Sequence, residues 1–259
     1  MYTHIISIKL EVSVRSWSIF RKAISNISAV LLIIMLSNVA MSDDNSLFNG
    51  LLHLAEQGNP EAQYHLGMAY NSGIGTKVDK TRAFEWFKKS ASLGDALGQY
   101  KLGCYYAGQG GEGIPLDLEI ALKYKLISAE AGYALAQGDV AKIFYQRGQI
   151  EEALLWWDRA ARQGSSEALN ILFGVHYQGT SVPKDLAKAY GYLSIIADNT
   201  EGKSIDKVNN MLKEIKAQLS PDQYKKALTI SILWTVKPTT LTVKANSGKQ
   251  EASRLVSLE

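Results

Sequence analysis

Glycines at positions 58, 94, 132 and 164 stand 36, 38 and 32 residues apart, and between them the same residue types recur in the same order. A period of this length marks a repeat array rather than one closed core. The first unit reads NPEAQYHLGMAYNSGIGTKVDKTRAFEWFKKSASLG and the second DALGQYKLGCYYAGQGGEGIPLDLEIALKYKLISAEAG. The third, YALAQGDVAKIFYQRGQIEEALLWWDRAARQG, is shorter in its middle turn. The fourth, SSEALNILFGVHYQGTSVPKDLAKAYGYLSIIADNT, lacks the closing glycine. NSLFNGLLHLAEQG, ahead of Gly58, reads as the second half of an earlier unit.

Each unit spells two antiparallel helices. Asn59-Pro60-Glu61 is an N-cap followed by proline at the first helical position, and Asp95 and Ser165 fill the same slot. Leu66, Gly67 and Tyr70 share a face, as do Leu102, Gly103 and Tyr106. A glycine inside a helix costs about 1 kcal/mol relative to alanine, so its use there predicts a neighbouring helix crossing too closely for a side chain. Gly73 ends the first helix in the left-handed conformation, and Asp79, Asp117 and Asp185 cap the second. That second helix carries Ala83 with Trp86 and Phe87, then Ala121 with Tyr124, then Ala153 with Trp156 and Trp157. The glycine-rich NSGIG is therefore punctuation. A phosphate cradle would need a preceding strand and a lysine or helix terminus aimed at the ligand, and neither is predicted.

The pattern A-x-x-x-L-G-x-x-Y-x-x-G-x-G, then D-x-x-x-A-x-x-W-[FY]-x-K-x-A-x-x-G, resembles the Sel-1-like repeat, a relative of the tetratricopeptide repeat. The first unit carries it through Ala62, Leu66, Gly67, Tyr70, Gly73, Gly75, Asp79, Ala83, Trp86, Phe87 and Ala91. The third is closer to a plain tetratricopeptide unit of about 34 residues. The fourth departs, with Phe173 in the small-residue slot and His176 in the tyrosine slot. The resemblance covers residues 45–200 and implies an all-α fold, an α-solenoid of helix-turn-helix repeats that works as a binding scaffold.

The half repeat and four units are assigned to 43–200. Ile205, Val208, Met211, Leu212, Ile215 and Leu219 recur at helical spacing. SPDQ at Ser220 is a capping-box signature opening a last helix to about Trp234. These C-terminal capping helices, within 201–236, are expected to cover the apolar end of the array. Residues 237–259, polar with short β-branched runs, read as a flexible tail or one ordered by a partner. Residues 1–42 read as a signal peptide, which predicts a periplasmic protein. Arg21 and Lys22 precede an apolar run around Ile27 to Leu36, and Ala40-Met41-Ser42 matches a cleavage site. The run is shorter than the roughly 20 residues that span a bilayer. An uncleaved leader acting as an anchor is the alternative, and the only route to the membrane.

The chain has 28 basic and 25 acidic residues. Four of the basic and one of the acidic lie in 1–42, which leaves 24 of each in the remainder. A neutral array offers no basic surface for nucleic acid. Cys104 is the only cysteine, which rules out a disulfide framework or a Cys-rich metal cluster within one chain; a buried inert thiol is the reading preferred to a nucleophile. His4, His53, His65 and His176 form no H-E-x-x-H pattern, and no G-x-S-x-G appears. Glu151-Glu152 opens a helix, where acidic side chains favour the dipole. No catalytic residue, cofactor or metal is therefore expected.

What remains is a binding face. First helices of such arrays line the concave side. Aligning Gly67, Gly103, Ala141 and Phe173 makes Tyr64, Met68 and Asn71 project inward, then Tyr100 and Cys104, Lys142 and Tyr145, and Asn170 and Tyr177. Tyrosine recurs four times in this stripe, and tyrosine is enriched in binding hot spots; each of the four could equally fill a gap between repeats. The loop GQGGEGIP at Gly108 is two residues longer than its counterpart and extends one rim. A single array with a leader and a helical cap is similar to the periplasmic immunity proteins that neutralise lipase-type or phospholipase-type effectors of type VI secretion. That resemblance implies a lipase-type toxin as the protein partner. A periplasmic adaptor for envelope assembly or signalling shares every feature, and an enzyme acting on cell-wall material is the third reading. The family's cysteine-rich branch, to which activities toward peptidoglycan-like ligands are ascribed, is a poor comparison for a chain without those cysteines.

Overall fold

The computed structural model describes residues 43–258; the expected leader and its cleavage site lie outside the described residues. Among the described residues every regular element is helical. Helix α1 covers 43–56. Four hairpins follow: α2 (Pro60–Ser72) with α3 (Lys80–Ser92), α4 (Ala96–Cys104) with α5 (Leu118–Glu130), α6 (Ala134–Gln146) with α7 (Ile150–Arg162), and α8 (Ser166–Gln178) with α9 (Leu186–Asp198). Then come α10 (Ser204–Lys216), α11 (Pro221–Ile232) and α12 (Thr240–Ser257). Each hairpin packs on the next, which makes the chain an α-solenoid.

Local chemistry sets the ends of these helices. Asn59 accepts from the Glu61 and Ala62 N–H groups, and Asp95, Ser165, Asp79, Asp117 and Asp185 cap α4, α8, α3, α5 and α9 likewise. Gly73 closes α2 at φ 76°, and Gly94, Gly132 and Gly164 take positive φ between units. Ser220 and Gln223 form the reciprocal capping box of α11. The two additional residues near Gly108 are absorbed as a wider π-type turn over Tyr105–Gln109, with Gly108 at φ 100°.

Packing follows the small residues. A Cβ on Gly67 would lie 2.6 Å from the Phe87 ring, and one on Gly103 would lie 2.9 Å from the Ala121 carbonyl oxygen. Around these crossings Leu51, Leu66, Phe87, Leu102 and Tyr105 are buried together, and further along Trp157 and Leu172 repeat the arrangement. At the far end Ile215 of α10 and Ala227 of α11 are buried against Tyr190 and Leu193 of α9, so the two helices close that end of the array.

The segment read from sequence as a tail is instead helix α12, kinked at Gly248. Its order comes from tertiary contacts that propensity does not register. The Lys237 N–H donates to the Arg162 carbonyl at 2.8 Å, and Thr239 Oγ1 donates to the Gly132 carbonyl at 2.8 Å. Tyr133 gives α6 no side-chain cap, and Thr242 supplies it: the Ala134 N–H donates to Thr242 Oγ1 at 3.0 Å. Beyond this clamp Lys244 pairs with Glu61 of α2, Lys249 pairs with Asp44 of α1, and Val256 abuts Gly50. Helix α12 therefore packs on α1 and α2, as the first helix of a unit packs on its own second helix and on the next unit.

The crossings yield a paired expectation in urea unfolding. Gly103→Ala pushes a methyl against backbone and destabilises the chain by about 1–3 kcal/mol. Gly174→Ala, in the middle of α8 with nothing within 4 Å of the added Cβ, stabilises it by about 0.5–1 kcal/mol. Equal effects at the two positions would remove close approach as the reason for Gly103.

Candidate binding surface

The first helices α2, α4, α6 and α8 place the inward-projecting stripe along one face, and that face divides in two. In the first half the stripe is largely interior. Tyr64 is buried against Phe87 and His65, and Tyr100 is buried edge-on to Tyr133 at 5.0 Å. The Tyr100 hydroxyl donates to Asp139 at 3.3 Å, and Asp139 holds the buried Lys125 at 2.7 Å. Cys104 is 1% exposed beside them. Burial pushes its thiol pKa up, and burial also raises that of Tyr100 and lifts that of Tyr133 to about 12. Asn71 is half-buried and accepts from Lys80 Nζ at 2.7 Å and the Tyr105 hydroxyl at 2.8 Å, so it ties the α2–α3 turn to α4. Met68 is half-buried and lines a small cavity beneath α12.

The second half is open. Lys142 and Glu167 form an ion pair at 2.9 Å with both side chains well exposed. Tyr145 leans on Trp157 and hydrogen-bonds Ser181, and Tyr177 stacks on Phe173 at 5.4 Å with Lys184 over its other side. Asn170 is exposed at the mouth of a recess of about 380 Å³ that Leu169, Ile195, Trp234 and Val236 also line. Trp234 and Val236 have no counterpart in the repeat pattern. Arg162 lies over the Trp234 ring at 4.5 Å, an aromatic-basic signal in the sequence that spacing alone could not bring to this face. A second cleft, of about 940 Å³, lies outside the stripe between the α8–α9 turn and α11, with Lys184, Lys188 and Lys226 at its edge and buried His176 in its wall. Burial lowers the His176 pKa, which keeps it neutral at physiological pH.

Among the described residues no group of three or more His, Cys, Asp or Glu side chains is placed to hold a metal, and no helix is long and apolar enough to cross a membrane. The histidines among the described residues lie on three different helices, α1, α2 and α8. The arrangement offers shape, aromatic area and charge.

The family model of the Sel1 repeat matches residues 60–95, 96–133, 129–165 and 166–200. The chain is 28% identical over 131 residues to "Chitin synthase regulatory factor 4" of Schizosaccharomyces pombe, across 50% of this chain and 20% of that one. It is 40% identical over 104 residues to "ERAD-associated E3 ubiquitin-protein ligase component HRD3B" of Arabidopsis thaliana, across 39% of this chain and 17% of that one. The match thus spans about a fifth of those relatives' own length. Among solved structures, a Sel1 repeat protein from Oxalobacter formigenes superposes with a TM-score of 0.57 at 23% identity, over 86% of this chain and 97% of the other. At that identity the likeness is one of fold.

Two outcomes follow from the buried cluster. A disulfide reagent labels Cys104 in the native chain about a hundredfold or more slower than in denaturant; equal rates would place the thiol at the surface. Because burial raises the pKa of Tyr100, Tyr133 and Cys104 in the folded state, their contribution to stability is full below the unfolded values. It is lost as pH rises through the folded ones, so unfolding curves flat near neutrality weaken between about pH 9 and 12.

Proposed function

This chain belongs to the Sel1 repeat family, and we propose that it is an exported, non-catalytic scaffold that binds a protein partner through the open half of its first-helix face. Sel1 repeat proteins act as protein-interaction scaffolds and are generally non-catalytic. The observation that carries the reading is the patch formed by Lys142, Tyr145, Asn170 and Tyr177 beside the recess under Trp234. It combines rigid aromatic area, a salt-bridged polar rim and a concavity, as interface cores do.

The finer reading is a periplasmic immunity role, in which the partner is a lipase-type or phospholipase-type type VI effector and binding covers its active site. The signal-like leader over 1–42, the neutral remainder of the chain and a face with half-buried aromatics support it. Membrane contact enters only through the leader, if it is retained. A second reading, an adaptor for envelope assembly or signalling, is favoured by the names of the relatives, a regulatory factor in one case and a ligase component in the other.

Affinity capture with the exported chain from envelope extract, compared with a Tyr145→Ala, Tyr177→Ala variant, tests the proposal. The expected result is one lipase-type protein in near-equal amount, with loss of about 2 kcal/mol or more of binding in the variant. Capture of several envelope-assembly or signalling components instead assigns the adaptor role. Binding unchanged by the double substitution would move the interface off this face.

A further inference from the structure

We infer that the seat of α12 on α1 and α2 is a helix-docking site, held in cis by α12 and open to an amphipathic helix of a partner protein that carries bulky aliphatic side chains where α12 carries Ala245 and Gly248. The inference rests on the protein-binding reading above and adds a second contact surface together with the means of gating it.

The array starts on a half unit. A helical repeat cannot bury its own apolar face, so the first exposed face of an array has to be covered. Helix α1 is the second helix of a unit whose first helix does not precede it as a repeat in the sequence, and α12 takes that place. In the complete units the first helix drives large side chains into the seam, as Leu66 and Tyr70 or Leu102 and Tyr105 do. In α12 the seam residues Leu241, Ala245, Gly248, Ala252 and Leu255 follow a four-three spacing, and the middle three are small.

The fit is correspondingly incomplete. A cavity of about 140 Å³ remains between Ala245 and Gly248 on one side and Leu47, Leu51, Tyr64 and Met68 on the other. That is close to the size of an apolar cavity that admits a benzene ring, about 150 Å³. Gly248 kinks α12 at φ 28°, where a side chain is strained. Helix α12 therefore puts no side chain into this space from that position, and Ala245 is the site at which a larger residue would reach it. His65, 6% exposed, lines the same space with Nε2 3.8 Å from the Glu61 carboxylate. The rim states the charge of the occupant: Glu61 and Asp44 face Lys244 and Lys249 at 2.5 and 2.6 Å. Burial pushes the Glu61 carboxyl pKa up, but Lys244 and His65 more than offset it, so Glu61 stays an anion that wants a cation opposite. A fitting partner helix therefore carries lysine or arginine at the two flanks and leucine-sized residues between them.

Helix α12 is also a weak helix by composition. Thr240, Thr242, Asn246, Ser247 and Gly248 all rank low in propensity, so its docking rests on the seat and on tethering. A tethered segment competes at an effective concentration in the millimolar range, and an external helix sees only the fraction of chains in which the seat is free.

The test uses the full chain and a labelled synthetic peptide of residues 239–258 carrying Ala245→Leu, with Gly248 kept because its φ of 28° disfavours a side chain. Lys244→Glu with Lys249→Glu in the chain repels α12 from Glu61 and Asp44 while leaving the array's own residues intact. By fluorescence anisotropy, the leucine peptide binds this variant about tenfold or more tighter than it binds the wild-type chain, because the seat is free more often. It also binds the variant about tenfold tighter than the unsubstituted peptide does, because burying additional methylene groups is favourable. Equal affinity for the two chains, or no gain from the leucine, overturns the inference, as does exchange of α12 between copies to give a dimer on size exclusion. Hydrogen exchange on the wild-type chain is the independent readout. Amides of α12 exchange about a hundredfold faster than those of α3 and α5 if the seat opens locally, and equal protection overturns it. None of these results depends on Tyr145 or Tyr177, so failure here leaves the partner-capture result standing, and the converse holds.

Discussion

Everything in this molecule hangs on helices brought close enough together that a side chain would be in the way. Gly67 lies under the Phe87 ring, Gly103 against the Ala121 carbonyl and Gly191 against the Ala227 carbonyl. Dispersion between single atom pairs is small, and it accumulates only where surfaces interlock over their whole length. Glycine gives up helix propensity to permit that interlocking, and the partner helix fills the gap with the Phe87 ring at Gly67, with Lys125 at Gly103 and with Ile230 at Gly191. The hairpin repeats because no single hairpin can hide both of its faces. Each unit therefore asks for a neighbour, and the ends of the array need something else.

The two ends are closed differently, and this explains what was legible in the sequence. The far end is covered by α10 and α11, whose helical spacing and SPDQ capping box are local signals and could be read directly. The near end is covered by α12, whose residues carry little helix propensity and whose order depends on Gly132, Gln163, Glu61 and Asp44, all more than seventy residues away in sequence. The four-three spacing of Leu241, Ala245, Gly248, Ala252 and Leu255 was there to be found, but with small residues at its centre it is faint.

The stripe along the first helices shows the other limit. Spacing places Tyr64, Tyr100, Tyr145 and Tyr177 on equivalent turns, yet spacing does not say whether a turn faces solvent or a neighbouring helix. Tyr64 and Tyr100 lie in the seam, and the half-buried Asp139, held by Lys125, gives the Tyr100 hydroxyl a partner. Tyr145 and Tyr177 stay half-buried, on the same helices as the exposed Lys142 and Asn170 side chains. One periodic pattern thus serves cohesion in the first two units and leaves side chains at the surface in the next two. The recess under Trp234 meets the stripe at Asn170, through residues outside the repeat.

The hydrogen bond from the Ala134 N–H to Thr242 spans 108 positions of sequence. Without it, and without the contacts that follow it toward Asp44, almost every contact in the chain would be between neighbours, and such arrays form by propagation from unit to unit. Contacts between distant positions raise the contact order and must wait for loop closure. A polypeptide emerging from its amino-terminal end can stack its first units long before Thr242 exists. Completion is then a separate event: α12 returns to α1 and α2 only after the units between them have been made, and only at that moment do the described helices become one cooperative object.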